Sequence, residues 1–228
     1  MSVSLSAIVP IYNEEKFLEE SVNNLLKIKE IEKIFLVDDC SLDSSREIMN
    51  TLELKNDKVS IFKTNKNSGK GRAICVVQEY LETDYVIIHD ADLEYDPIDI
   101  PKMVKNINKD NFNLVLGSRF MNDNKKQLYL RTFLANKLLS KFFSLIHKVD
   151  VTDIATCYKL MPTEFFKNEN FVETGFAIEV ELLAKYFKNN KNFIEIPISY
   201  KARSYEDGKK IKLIDGFKYL LAMLKYKF

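Results

Sequence analysis

Short apolar runs alternate with longer stretches of helical period through the first half of the chain. Residues 5–9, 34–37, 59–62 and 85–88 are dominated by aliphatic and aromatic side chains, as strands covered on both faces are. Between them, residues 14–26 place Phe17, Leu18, Val22, Leu25 and Leu26 on one stripe. Residues 43–52 follow a Ser/Asp cap, and 71–81 repeat the helical pattern. This alternation predicts βαβ units: an α/β fold whose central sheet is mostly parallel and flanked by helices. A fifth strand is expected at 114–116. Beyond residue 120 the pattern lengthens into helices at 128–146 and 176–187, a late strand at 193–198 and an amphipathic segment over 209–228. Polar stretches at 106–113 and 122–126 read as loops.

A length of 228 residues fits one domain with an extension. The reading is a nucleotide-binding domain over 1–200 followed by a basic loop and amphipathic helix over 201–228. No basic leader with a long apolar stretch opens the chain, and no window approaches the roughly 20 apolar residues of a membrane span. The balance of 34 Lys and Arg against 33 Asp and Glu supplies no field to draw in nucleic acid, so no nucleic-acid partner is expected. Cys40, Cys75 and Cys157 are odd in number and widely spaced, which fits a reducing, cytoplasmic setting better than a zinc site or disulfide scaffold.

Charge changes the picture at the strand ends, where open α/β sheets bind their ligands. The first strand runs into Pro10-Ile11-Tyr12-Asn13-Glu14, the second into Asp38-Asp39-Cys40-Ser41, and the fourth into His89-Asp90-Ala91-Asp92. Carboxylates gathered at one edge repel one another unless a cation relieves them. Asp90 and Asp92, two carboxylates in a turn after a buried strand, suit Mg2+ or Mn2+, which take oxygen ligands. Such an ion would bridge a pyrophosphate and neutralise a departing nucleoside diphosphate. The segment Asn67-Ser68-Gly69-Lys70-Gly71 lacks P-loop spacing and reads as a turn opening a helix. His89 alternates away from Asp90 and is expected to be packed, while His147 has no chemical context.

The ordered blocks from Val9 to Glu14, Val37 to Asp43, Asn67 to Gly71, Asp90 to Pro97 and Gly117 to Phe120 resemble the family 2 glycosyltransferases. The closest likeness is to their dolichyl- or polyprenyl-phosphate mannose synthase-like branch. It is dense over residues 5–120 and continues through Thr152-Asp153, Cys157-Tyr158-Lys159 and Arg203-Ser204-Tyr205. It implies a GT-A fold and a metal-dependent, inverting hexosyl transfer from a nucleoside-diphosphate sugar such as GDP-mannose or a UDP-sugar. By resemblance, Pro10, Tyr12, Asn13, Glu14, Asp39, Lys70, Asp90, Ala91 and Asp92 form the donor site. Within it, Asp39 accepts from the base, Lys70 lies near the nucleotide, and Asp90 and Asp92 hold the metal, with Asp92 the more direct ligand. Arg119, Arg131 and Arg203 match arginines that meet donor or acceptor phosphate, and Lys209, in the basic stretch after Arg203, is expected to bind phosphate with them. Glu94 stands where the mannose synthases often have glutamine. Cys40 stands where the family usually has glycine, so a turn with positive φ there would make its Cβ costly.

Two acceptors remain open. A saccharide hydroxyl, as in cell-surface polysaccharide or glycolipid synthesis, would need a carboxylate base, with Asp153 first and Glu179 second. Asp153→Asn should then cripple that route and spare the other. A lipid phosphate is already anionic and would need arginines instead. The end of the chain favours the lipid: from Lys201 onward, eight basic residues face three acidic ones, interleaved with Leu213, Phe217, Leu221 and Leu224. This pattern suits peripheral contact with the cytoplasmic face of a membrane. A noncatalytic nucleotide-sugar-binding module is the reading from another class, and the intact Asp90 and Asp92 argue against it.

Overall fold

The computed structural model describes residues 3–108, 113–121, 130–203 and 213–227, with the side chains of 130, 131 and 213–215 left aside. Its strands are β1 (Leu5–Ile11), β2 (Ile31–Asp38), β3 (Val59–Lys63), β4 (Tyr85–Ile88), β5 (Leu114–Ser118), β6 (Lys159–Pro162) and β7 (Phe193–Pro197). Helices α1 (Leu18–Leu26), α2 (Ser45–Lys55), α3 (Lys70–Cys75), α4 (Ile100–Lys105), α5 (Leu130–His147), α6 (Thr163–Asn168), α7 (Ile178–Asn189) and α8 (Leu213–Lys225) lie between and after them. One seven-stranded sheet runs β3-β2-β1-β4-β6-β5-β7. All neighbours are parallel except β6, which is antiparallel to β4 and β5.

The predicted strands exist, several of them longer than their apolar runs. β1 and β2 each extend into the residues that carry chemistry, so Pro10 pairs with Val37 and Ile11 with Asp38. Three short elements escape the pattern: α4, α6 and β6. β6 hides because it carries a lysine and a proline, and Lys159 is fully buried by ion pairing. The helix expected over 71–81 ends at Cys75 and resumes as one 3-10 turn, Gln78–Tyr80. There the Gln78 amide donates to the Phe166 and Glu169 carbonyls, drawing the turn toward α6.

Strand order places the site. β1 has β2 on one side and β4 on the other, so the connections leave in opposite directions and open a crevice past their carboxyl ends. Among the described residues, three of the four non-glycine residues with positive φ are Asn13, Cys40 and Leu93, one in each loop at this crevice. Left-handed backbone at such residues costs about 1–2 kcal/mol each and persists where surrounding contacts overdetermine it. Cys40 thus sits at φ 61° with its Sγ donating to the Thr64 carbonyl, so the turn expected to favour glycine does take the left-handed conformation. α7 is buried along almost its whole length, and α8 contributes Tyr219, Ala222 and Met223 to the same core.

Candidate active site

The loops after β1 and β2 are locked together by their own side chains. Asn13 accepts from Leu42 N at 2.7 Å, Ser45 Oγ accepts from Glu14 N, and Asp43 and Glu15 accept from each other's side of the crevice. Asp39 Oδ1 accepts from Thr64 Oγ1 at 2.7 Å and Ser68 N at 2.9 Å, and its Oδ2 from Gly69 N at 2.6 Å. Three of roughly four acceptor positions on this carboxylate are therefore used to hold the loop before α3.

That loop delivers Lys70. Gly69 has φ 92°, and a Cβ on Gly71 would fall 2.1 Å from the Glu173 carbonyl oxygen. Only glycines let the segment around Thr174 lie against the turn, where Arg72 N donates to the Thr174 carbonyl. Glu181 fixes this segment by accepting from Val172 N and Glu173 N, and α8 ties it from outside through Lys225 and Tyr226, both donating to Glu173. Gly71→Ala is expected to destabilise the protein by about 1–3 kcal/mol, because the obstacle is backbone. Thermal melting should register about 2–4 °C per kcal/mol, with a matching fall in kcat/KM as Lys70 is displaced.

Lys70 Nζ stands 2.7 Å from Asp90 Oδ1 and 2.8 Å from Glu179 Oε1, the latter an ion-pair distance without hydrogen-bond alignment. Lys159 pairs with the other oxygen of Glu179. Burial works against the Lys70 charge, but Asp90, Cys157 and Glu179 outweigh it and hold its pKa well above the ordinary value. Burial also opposes the Asp90 charge, and Lys70 prevails and keeps it ionised.

Asp92 is placed differently. Burial, then the charges of Asp90 and Glu94, push its pKa up to about 7, with Arg203 only partly offsetting them. Arg203 lies 3.0 Å from Asp92 and 3.1 Å from Glu14, and its backbone N–H donates to Glu94. Tyr200 OH donates to the other Glu94 oxygen. The carboxylates of Glu14, Asp92 and Glu94 thus share one guanidinium.

On the far wall, Asp153 is fully buried and accepts from Arg119 Nε and Nη2, both at 2.7 Å, and from Arg119 N at 3.1 Å. The guanidinium lies 5.0 Å from the Tyr200 ring centre and reaches the cavity. These groups line a cavity of about 430 Å3, together with Phe176 and Tyr219 of α8. Of the residues expected at the site, all but four line it. Asn13 and Asp153 stand behind the lining, holding a loop and Arg119. The side chain of Arg131 and all of Lys209, with the basic stretch 204–212, lie outside the described residues. His89 is packed as expected: fully buried, it bonds Ser21 and Tyr158, and burial pushes its pKa down to about 4. Sequence reasoning missed Lys159, Tyr95, Phe176 and Tyr219. Only Lys159 left a trace, as a charge inside an apolar run.

The model of glycosyl transferase family 2 matches residues 6–187. The chain belongs to this family. Similar family 2 proteins include a UDP-N-acetylglucosamine–dolichyl-phosphate N-acetylglucosaminyltransferase of Methanococcus voltae, 31% identical over 238 residues and covering 96% of this chain and 94% of that one. A dolichol-phosphate mannosyltransferase of Pyrococcus furiosus is 28% identical over 218 residues, 91% of this chain and 59% of that one. These relatives agree with the polyprenyl-phosphate sugar synthase-like branch. The chain spans about three fifths of the length of two of the curated relatives it matches, the Pyrococcus protein among them. Among solved structures, glucosyl-3-phosphoglycerate synthase of Mycobacterium tuberculosis, in complex with Mn2+, UDP and phosphoglyceric acid, superposes with a TM-score of 0.75 at 13% identity. The match covers 99% of this chain and 78% of that one, and the shared architecture is the GT-A fold.

Divalent metals accompany UDP in the GT-A neighbours. Among the described residues, Glu14, Asp92 and Glu94 share the single guanidinium of Arg203, and burial with the charges of Asp90 and Glu94 raises the Asp92 pKa. This donor set fits a hard divalent ion. Among the described residues no group of three or more His, Cys, Asp or Glu is arranged to hold one alone. The protein would therefore supply few ligands, leaving the rest to donor phosphate and water.

Proposed function

We propose that this chain is an inverting, metal-dependent hexosyltransferase that moves a sugar from a nucleoside-diphosphate donor to a polyprenyl or dolichyl phosphate. The observation that carries this reading is the state of the two carboxylates nominated as bases. Asp153 has both oxygens on Arg119, and Glu179 is held between Lys70 and Lys159, so neither is available to deprotonate a hydroxyl. A phosphate acceptor needs no base. It needs cations, and Arg119 and Arg203 supply them at the cavity wall. Arg203 Nε is buried 3.8 Å from Glu94 without an aligned hydrogen bond among the described residues, so an anionic ligand can compete for it. Phe176 and Tyr219 add aromatic lining of a kind suited to a prenyl chain. The names of the Methanococcus and Pyrococcus relatives support the same class.

In this mechanism Pro10, Tyr12 and Glu14 line the nucleoside end, and Asp39 keeps the loop before α3 in place with one acceptor position left for the base. Asp92, with Asp90 beside it, would hold Mg2+ or Mn2+, which would offset the charge on the departing diphosphate. Lys70 holds Asp90 in position and brings positive charge next to the donor. Arg203 leaves Asp92 and Glu14 for acceptor phosphate, and Arg119, aimed by Asp153, fixes that phosphate opposite the leaving group.

The test is incubation with GDP-mannose, UDP-glucose and UDP-N-acetylglucosamine, polyprenyl phosphate in detergent, and Mg2+ or Mn2+. A lipid-linked sugar formed from one donor is expected. Transfer to a saccharide alone would overturn the lipid-phosphate reading, and donor binding without any transfer would favour a noncatalytic module. Thermal-shift measurement with each nucleoside diphosphate, with and without the ion, identifies base and metal together.

A further inference from the structure

The turn that carries Asp153 belongs to neither a helix nor a strand, and side chains from two other elements take its backbone N–H groups in succession. Ser144 Oγ on α5 accepts from Val151 N at 3.1 Å, and Ser140 Oγ on the same helix accepts from Ile154 N at 3.2 Å. Between them, Glu195 of β7 accepts from Thr152 N at 2.9 Å and from Asp153 N at 3.0 Å, one through each carboxylate oxygen. The end of β5 closes the arrangement, with Ser118 Oγ 2.7 Å from Thr152 Oγ1. Every N–H from Val151 to Ile154 is thus held by a side chain, which is how an irregular segment with few backbone partners is fixed in one place.

Glu195 is the one acid among these holding side chains, and a carboxylate is unfavourable there. Burial raises its pKa, and the charge of Asp153 adds to that rise while the bonds from Thr152 oppose it. Among the described residues no Lys or Arg forms an ion pair with it. A neutral acceptor would avoid the repulsion from Asp153, but only a carboxylate offers two acceptor oxygens and no donor, and so takes both N–H groups in charge-assisted bonds. The turn gains a fixed seat for Asp153, which in turn holds Arg119 by Nε, Nη2 and the backbone N–H. We propose that Glu195 is a positioning residue for transfer: by holding the Thr152–Asp153 turn, it sets where Asp153 presents the Arg119 guanidinium to acceptor phosphate. Glu195 itself does not line the cavity, and it reaches the site from β7, the last strand of the sheet, through two intermediates. The proposal rests on the lipid-phosphate reading and deepens it.

Glu195→Gln keeps the size of the side chain and turns one acceptor into a donor that faces a backbone N–H. With a short-chain, water-soluble prenyl phosphate as acceptor, its KM for that acceptor is expected to rise about tenfold or more, with kcat within about threefold of the parent. The melting shift given by nucleoside diphosphate with Mn2+ should stay as in the parent, which also shows that the variant is folded. Glu195→Ala, which removes both acceptors, should raise the acceptor KM further. Equal losses on the donor and acceptor sides, or a lower Tm with the acceptor KM unchanged, would assign Glu195 to the fold alone and overturn the proposal. A parent protein that transfers nothing to prenyl phosphate sinks the acceptor reading by itself, and the positioning is then read without transfer. Phenylglyoxal labelling followed by peptide mass spectrometry is expected to modify Arg119 several-fold faster in Glu195→Gln than in the parent, and Arg203, held at the same cavity by Glu14 and Asp92, no faster. Unchanged labelling of Arg119, or acceleration at both arginines, would overturn the proposal.

Discussion

Asp92→Asn is expected to abolish sugar transfer while making the ligand-free protein more heat-stable above neutral pH. The two effects share a cause. Burial and the charges of Asp90 and Glu94 raise the Asp92 pKa to about 7 even with Arg203 3.0 Å away, so the ionised carboxylate is less comfortable here than in the unfolded chain. The sign follows from proton binding: between its ordinary value of 3.8 and about 7 the folded protein holds a proton that the unfolded chain has released. Stability therefore falls as pH rises through that window and stays low above it. Asparagine removes the penalty, on the order of a few kcal/mol. The melting temperature of Asp92→Asn should exceed that of the parent at pH 8, and the gap should close toward pH 4. Transfer should fall by about a hundred- to ten-thousand-fold, since the carboxylate that would hold the ion is gone and that ion contributes several kcal/mol at the transition state. Saturating Mn2+ should narrow the stability gap from the other side by raising the parent protein, since an ion that binds only the folded chain stabilises it. A melting difference that ignores both pH and Mn2+ would contradict the account of Asp92 as a strained anion awaiting a cation.

How much of this was legible beforehand depended on whether the signal was local. β1 to β5 announce themselves because each is a short apolar run, and Asp90 to Asp92 stands out because acids follow such a run directly. The long-range pairings left no such mark. Nothing near Lys70 indicates that its charge meets Glu179, more than a hundred positions away, or that Lys159 completes the group. The close approach of Thr174 to Gly69 and Gly71 is likewise visible only once the backbone is folded, although two glycines flanking a lysine hinted that something passes near. Tyr219 looked like one more apolar residue of a surface helix, and only packing shows that it turns inward to the cavity while Phe217 and Leu221 turn out.

Asp153 is where the folded structure adds most to the local reading, and it gives the second large expected effect. As a base for a hydroxyl acceptor it would tolerate asparagine structurally, so Asp153→Asn was expected to divide the two mechanisms. Its fork-to-fork pairing with Arg119 changes that expectation. Burial works against the Arg119 charge and Asp153 more than compensates, so removing the partner charge strands a buried guanidinium. Breaking such a pair costs about 3–5 kcal/mol, which for a chain of this size lowers Tm by about 6–20 °C. Transfer to a lipid phosphate should fall with it, because Arg119 loses its aim. The single variant therefore no longer separates the routes, and a double variant does. Arg119→Met with Asp153→Leu removes both charges, and buried pairs replaced by apolar residues of similar size often recover their stability. The double variant is expected to melt near the parent protein and still fail to transfer, which assigns Arg119 to acceptor phosphate and Asp153 to holding it. A double variant that recovers transfer along with stability would show that the pair serves the fold alone, and the cations that meet the acceptor would then have to be sought at Arg203 and its basic neighbours.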